Sequence, residues 1–531
     1  MALIRPVDET LAGFLRDESR TQGRAETISQ PADEAEVRQV FRELASVPGA
    51  PVPVTVQGAR TGLAAGCVPD GGHVMSLQRM NRVLGVSGDA EGGFSVRVQP
   101  GVVLQDLRNA LAKRAFDTAG WDDASLAALG RLRGADPIFF PCDPTETSAT
   151  VGGMVACNAS GARSYRYGAM RRHVRGLRVV LPSGETLALS RGAAVAEGRR
   201  LTLTTEQGTV IEVPLPTYAM PDVKNASGYF AAGAMDAVDL FVGSDGTLGV
   251  VTEVELALAP TPPVVWGVNC FFDGEDRAVG FVGAVRGAVP GLGAVEYFDP
   301  AALDILRSQR HCDPAFSSLP EVPPAYACCV FVELQEPGRP EALEALAAVG
   351  RAMGEAGADP AATWVGTTDV DRERQRFFRH AVPESVNMLI DERRRTDPAI
   401  TKLGSDMAVP DGRLRDVVAL YRRTLAEEGL ESATWGHIGD NHLHVNVLPR
   451  NAGEHARGKA LFRRWAEEVS AMGGTVSAEH GVGKIKRDFL VPMYGREGVA
   501  EMAAVKRALD PDGVLGRGNL FDASLLEGGE A

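Results

Sequence analysis

Between His442 and Val447 the chain alternates strictly: His442, His444 and Asn446 point one way, and Leu443, Val445 and Val447 the other. An extended strand of this kind rests its apolar back on a core and turns its polar front toward a site. His437 precedes it on a glycine loop, Trp435-Gly436-His437-Ile438-Gly439-Asp440, that can fold back toward the strand. Imidazoles from a loop and a strand begin a metal site, and a carboxylate is still wanted. The run Thr475-Val476-Ser477-Ala478-Glu479-His480-Gly481-Val482-Gly483 supplies one. There a helix is expected to end at 473–474, a short strand to follow, and Glu479 and His480 to arrive at its end.

The 531 residues suggest about two to four domains. Residues 33–46 place Val37, Val40, Phe41 and Leu44 at helical spacing, and the following PVPVTVQG alternates like a strand. Further strands are expected at 94–98, 178–181, 200–204 and 250–258, around glycine-rich loops. A proline-rich seam at 258–265 marks a boundary. After it come strands at 265–272 and 293–298, with Asp299 and Pro300 opening a helix as N-cap and first residue. Strands at 325–334 and 363–366 flank a helix in which Leu343, Leu346, Val349 and Met353 share a face. This is a β-α-β-β-α-β layer. Then follow a strand at 407–410, a helix through Leu420 and Leu425, a hairpin over 433–448 and an amphipathic helix near 455–472. The Asp-Glu-Arg-Arg-Arg run at 391–395 reads as a solvated turn.

Charge narrows the partners. A net charge of −14 argues against nucleic acid and against simple adhesion to an anionic membrane. An anionic substrate therefore needs local positive charge. Seven cysteines without a C-x-x-C pair suit reduced thiols. No stretch approaches the ~18 apolar residues of a spanning helix, and the N-terminal segment lacks a secretory pattern. A cytoplasmic protein is expected, peripheral to the inner membrane at most through an electron acceptor.

Three loops in the first half carry the cofactor signal. The first is Gly58-Ala59-Arg60-Thr61-Gly62-Leu63-Ala64-Ala65-Gly66, whose backbone N–H groups can form an anion nest. It matches neither of the common nucleotide-binding glycine patterns. The second runs from Pro141 and Asp143 through Thr147, Ser148, Gly152 and Gly153 to Asn158, Ser160, Gly161, Tyr167 and Gly168. The third is Gly243-Ser244-Asp245-Gly246-Thr247-Leu248-Gly249-Val250. In this order the loops resemble the FAD-binding domain of the vanillyl-alcohol-oxidase and cell-wall-reductase (PCMH) type. The resemblance is to the branch holding D-lactate and D-2-hydroxyglutarate dehydrogenases, and with GH-x-GD-x-x-x-H and S-x-EHG-x-G it spans about 35–521.

What the resemblance implies is an α+β protein. A two-subdomain FAD-binding domain over 1–260 precedes a ferredoxin-like α+β cap, the substrate domain, over 261–500, and a segment 501–531 returns to the first domain. FAD is expected to place its pyrophosphate on Gly58–Gly62 and Leu63, with its adenine and ribityl parts against 147–168 and 243–250. No histidine lies in 57–66, the usual place of covalent attachment, so the FAD is expected to be dissociable. By the same resemblance His437, His444 and Glu479 hold a divalent metal, zinc before manganese or iron. His480 is the base, Asn446 reaches the substrate, and Arg379 and Lys402 clamp a carboxylate. Relatives read Gly-Asn where this chain has Asn441-His442, and His442 either joins the metal shell or alters pocket size. They also close on an asparagine near the flavin, for which Asn519 is the nearest counterpart here. The implied reaction is oxidation of a D-2-hydroxy acid of the lactate, glycolate or 2-hydroxyglutarate class, with hydride delivered to flavin N5. The electron acceptor is left open among a quinone, a cytochrome, an electron-transfer flavoprotein and oxygen, and a homodimer is allowed. Rival readings are a same-fold alcohol oxidase, an enzyme like alkyl-glycerone-phosphate synthase, and a metallohydrolase without redox activity.

Overall fold

A computed structural model describes residues 3–89 and 92–527. In the helix Glu34–Ala45, Asp33 caps the Glu36 amide, and Val37, Val40, Phe41 and Leu44 are all buried. That face lies against Val54, Met75 and Leu515. The sheet beside it runs in the order Ile4–Pro6, Thr27–Ser29, His73–Ser76, Val54–Gln57. Its last two strands pair in parallel. A second, antiparallel sheet follows in the order Val83–Gly88, Phe94–Val98, Val250–Ala257, Val174–Val180, Thr186–Ser190. These two sheets are the two subdomains of a PCMH-type flavin fold, and the glycine loops run between them.

The second half is built on an eight-stranded sheet. Its first four strands in chain order, Val264–Phe272, Leu292–Phe298, Cys328–Glu336 and Thr363–Gly366, lie in the order 4-1-3-2 with all neighbours antiparallel, a ferredoxin-like arrangement. Leu292–Phe298 then pairs with Ser432–Gly436, matching Tyr297 with Gly436. The hairpin partner His442–Val447 comes next, matching Trp435 with His444. Between the hairpin strands Asn441 adopts a left-handed turn (φ 52°), a conformation asparagine tolerates better than most residues. Asp299 caps the helix Pro300–Cys312, with Pro300 in its first turn.

Three expectations need correction. The helix Arg339–Glu355 turns Ala342, Ala345, Ala348, Val349, Ala352 and Met353 inward, while Leu343 is 51% exposed and Leu346 only partly buried. Alanines let this helix sit close to the sheet, so the leucine spacing misleads. Residues 391–395 are not a turn but the last turns of a 28-residue helix, Asp369–Thr396, which accommodates Pro383. The arginines there complement the negative helix end. Arg393 also donates to the Leu448 carbonyl and pairs with Glu431. No strand follows Gly474; a single bridge joins Thr475 to Ala408.

The halves are bolted together by the segment after Gly161. Arg163 forks onto Glu333 (2.8 and 3.0 Å), Tyr167 donates to Gln335 (2.6 Å), and Ser164 to Asp440 (2.7 Å). After the helix segment Leu490–Leu509 the chain returns to the first sheet. Val54 N–H donates to the Val514 carbonyl and Gly516 N–H to the Val54 carbonyl. Among the described residues no helix is long and apolar enough to cross a membrane.

Candidate active site

One cavity of about 1070 Å³ runs between the halves, larger than the roughly 300–1,000 Å³ of ordinary ligand pockets. Its wall includes the 58–63 loop at one end and Glu296, Arg379, Lys402, His437, His444, Asn446, Glu479 and His480 at the other. Asp143, Thr147, Gly152, Gly153, Ser160, Gly246 and Gly249 also line it, with Ser160 Oγ 3.5 Å from Glu479 Oε2.

The loop end has the construction of a backbone cradle. A Cβ on Gly58 would meet Thr150 Oγ1 at 2.2 Å and one on Gly152 the Pro100 ring at 2.5 Å; Gly161, whose Cβ would strike the Asp143 carbonyl, lies outside the cavity wall with its own carbonyl 3.5 Å from Lys224 Nζ. A side chain at Gly58 or Gly152 would have to displace these neighbours. Arg60 holds a left-handed φ of 63° with its guanidinium 4.4 Å from the Phe14 ring centre. Its Nη1, and Thr150 Oγ1 nearby, are buried without a hydrogen-bond partner. Donors waiting in a glycine cradle suit the oxygens of a dinucleotide cofactor, so the residues present fit FAD.

Other expected cofactor residues do not line the cavity but shape it. Asn158 (φ 49°) accepts from the Arg171 amide and donates to the Asn225 carbonyl. Thr247 is buried on Tyr229 and the Ser244 carbonyl. Val250 is a core residue of its strand. Gly168 supplies a turn (φ 78°). Ser148 faces a separate, smaller cavity, and Pro141 touches neither. Asn519 donates to the carbonyls of Gly66 and Asp245 and accepts from Lys484, tying three loops together.

At the far end the expected ligands converge. His437 Nε2 lies 3.3 Å from Glu479 Oε1, and His444 Nε2 lies 3.1 Å from the same oxygen. His437 Nδ1 is held by Glu296 (2.7 Å) and His444 Nδ1 faces the Ser405 carbonyl (3.2 Å). The strand register explains the first contact, because matching Tyr297 with Gly436 brings Glu296 beneath His437. Outer partners of this kind fix ring orientation in metal sites. His480 stacks on His444 at 5.3 Å, with Nε2 3.5 Å from Glu479 Oε1 and Nδ1 3.5 Å from Asp406 Oδ2. An imidazole-and-carboxylate donor set of this composition fits a divalent transition metal.

Sequence reasoning missed the groups behind this cluster. Lys224 is buried and donates to Glu479 Oε2 (2.7 Å), with Asp440 at 3.9 Å. Asp406 accepts from Lys486 (2.6 Å), Ser477 (2.6 Å) and the amides of Glu479 and His480. Glu296 is the one acid in a strand of buried residues, a signal that could have been noticed. Lys224 and Lys486 lie in no recognised motif.

Electrostatics follow from burial. For Glu479, burial works upward, but Lys224 and then His437 hold the carboxyl well below its usual range. Burial depresses His437, yet Glu296 and Glu479 outweigh it and carry the ring up to about 10. For His480 burial wins over Asp406 and lowers it to about 4, leaving a neutral ring at pH 7. Burial, then the charge of Arg20, lowers Lys402 to about 8. Lys402 has no ion-pair or hydrogen-bond partner among the described residues. Arg379 stacks 4.7 Å over Phe331, its Nε buried and unbonded.

The chain matches the family model for the FAD binding domain over residues 25–130 and 124–190, and that for the C-terminal domain of FAD linked oxidases over 261–520. It is 28% identical to a D-lactate dehydrogenase of Anaerostipes hadrus, covering 97% of this chain and 93% of that protein. It is 27% identical to a D-2-hydroxyglutarate dehydrogenase of Xanthomonas citri pv. viticola, covering 93% and 89%. A solved alkyldihydroxyacetonephosphate synthase shares the fold, with a TM-score of 0.59 at 15% identity over 97% of this chain and 82% of that one. The chain belongs to the FAD-linked oxidase family, in its D-lactate and D-2-hydroxyglutarate dehydrogenase branch.

Proposed function

We propose that this FAD-linked oxidoreductase oxidises a small D-2-hydroxy acid to the 2-oxo acid, with dissociable FAD on the glycine cradle and a divalent metal at His437, His444 and Glu479. Residues 1–260 and 501–531 form the flavin part and 261–500 the substrate part. The observation that carries the reading is the cavity joining the cradle, the histidine–glutamate cluster and two basic side chains, Arg379 and Lys402, that make no close ion pair among the described residues. When bound, FAD supplies a hydride acceptor and the metal a Lewis acid for the hydroxyl oxygen.

The chain's own residues do the rest. Arg379 offers a planar fork and Lys402 a point charge to the substrate carboxylate. Asn446, whose Oδ1 is buried without a partner, orients the substrate from the strand front. Asp406 favours the His480 proton at Nδ1, leaving the Nε2 lone pair to take the hydroxyl proton. Anaerobic addition of lactate, glycolate and 2-hydroxyglutarate, read by bleaching of the flavin absorbance, tests this. D-Lactate, D-2-hydroxyglutarate or the achiral glycolate should bleach it; failure of every 2-hydroxy acid sinks the reading. Yellow colour that stayed with acid-precipitated protein would refute dissociable FAD.

A further inference from the structure

We propose that His442 is a fourth protein ligand, so that this chain holds its divalent cation with three imidazoles and one carboxylate. The inference rests on the metal site proposed above and deepens it.

His442 is fully buried, and neither of its ring nitrogens completes a well-aligned hydrogen bond. Its Nε2 lies 3.0 Å from Asp406 Oδ1, while Nδ1 faces inward, 3.9 Å from Glu479 Oε2. The other two rings show the same division of labour. His437 gives Nδ1 to Glu296 and His444 gives Nδ1 to the Ser405 carbonyl, and each turns Nε2 to Glu479. Three imidazoles, each with one nitrogen beside an outer oxygen and the other toward one carboxylate, form a convergent set. One donor atom from each of His437, His442, His444 and Glu479 lies within 4.8 Å of the others. Small side-chain shifts bring such a group to the roughly 2.0–2.2 Å bonds of a shared zinc-like ion.

Charge points the same way. Four carboxylates, Glu296, Asp406, Asp440 and Glu479, none more than 16% exposed, face two ammonium groups, Lys224 and Lys486; with His437 unprotonated, as a metal ligand is, that leaves a formal excess of two negative charges. A divalent cation cancels it. The cavity wall includes His437, His444 and Glu479 but not His442, so His442 closes the buried side. A set dominated by imidazole selects zinc or iron over magnesium or calcium.

X-ray absorption at the zinc edge of the zinc-loaded holoenzyme counts imidazoles directly. Three are expected in the wild type and two in His442→Asn. Chelator competition should show zinc bound at least tenfold more weakly by the variant, within the roughly 10–100-fold expected even of outer-shell changes. Two imidazoles in the wild type, or an unchanged count and affinity in His442→Asn, would overturn the proposal while leaving the metal site standing. A wild type that takes up no zinc, manganese or iron overturns both. Should His442→Asn not fold, the wild-type count alone decides.

Discussion

The two ends of the cavity are built by opposite means. The cradle relies on the absence of side chains: at Gly58 and Gly152 a single methyl would collide with Thr150 and Pro100. The cluster relies on buried ionisable side chains, each meaningful only beside the next: Glu296 under His437, Lys224 on Glu479, Lys486 on Asp406. The first end fails by crowding and the second by lost charge or proton. One is tuned by shape, the other by electrostatics.

His480→Ala puts the largest strain on this contrast. Flavin and metal content should be retained while flavin reduction slows on the order of 10²–10⁴-fold. Rapid-mixing absorbance measures it, and undiminished reduction removes His480 from the chemistry. Arg163→Ala tests the bolt between the ends. It strands Glu333, of which only 8% of the side chain is exposed, and should cost on the order of 3 kcal/mol in urea unfolding. A change below 0.5 kcal/mol would mean the halves are held elsewhere.

Gly152→Ala should act at the cradle alone. Overpacking against the Pro100 ring costs about 1–3 kcal/mol and should lower the flavin-to-protein absorbance ratio without changing metal content. Equal loss of both would erase the contrast. The smallest effect concerns pH. Burial and Arg20 hold Lys402 near 8, so its ammonium is lost above that pH. The KM for the acid should therefore rise between pH 7 and 9, with kcat moving less. Lys402→Arg, charged throughout, should flatten the rise.

Much of the cradle was legible because its signal is local: glycine runs and N-A-x-G spacing need no partner to be read. The alternation over 442–447 was legible for the same reason, since period two declares a strand. The supports were not. Lys224 is 255 residues from Glu479, and Asp406 is 74 from His480. Sheet order and loop paths bring them together, and no window of sequence contains both. The face predicted at 343–353 held at Val349 and Met353 but not at Leu343, because alanine packs closer than leucine. The basic run at 391–395 failed because helix length was not visible past Pro383.

The return of the chain at 514–519 has a consequence for biosynthesis. The strand Val54–Gln57 carries Gly58 at its end, yet it is flanked by Leu515, and Asn519 ties Gly66 to Asp245. A nascent chain on the ribosome thus lacks part of its first loop's support until Asn519, 453 positions after Gly66, has emerged. Stable cofactor loading should accordingly wait for that segment, and chains lacking it should hold flavin poorly.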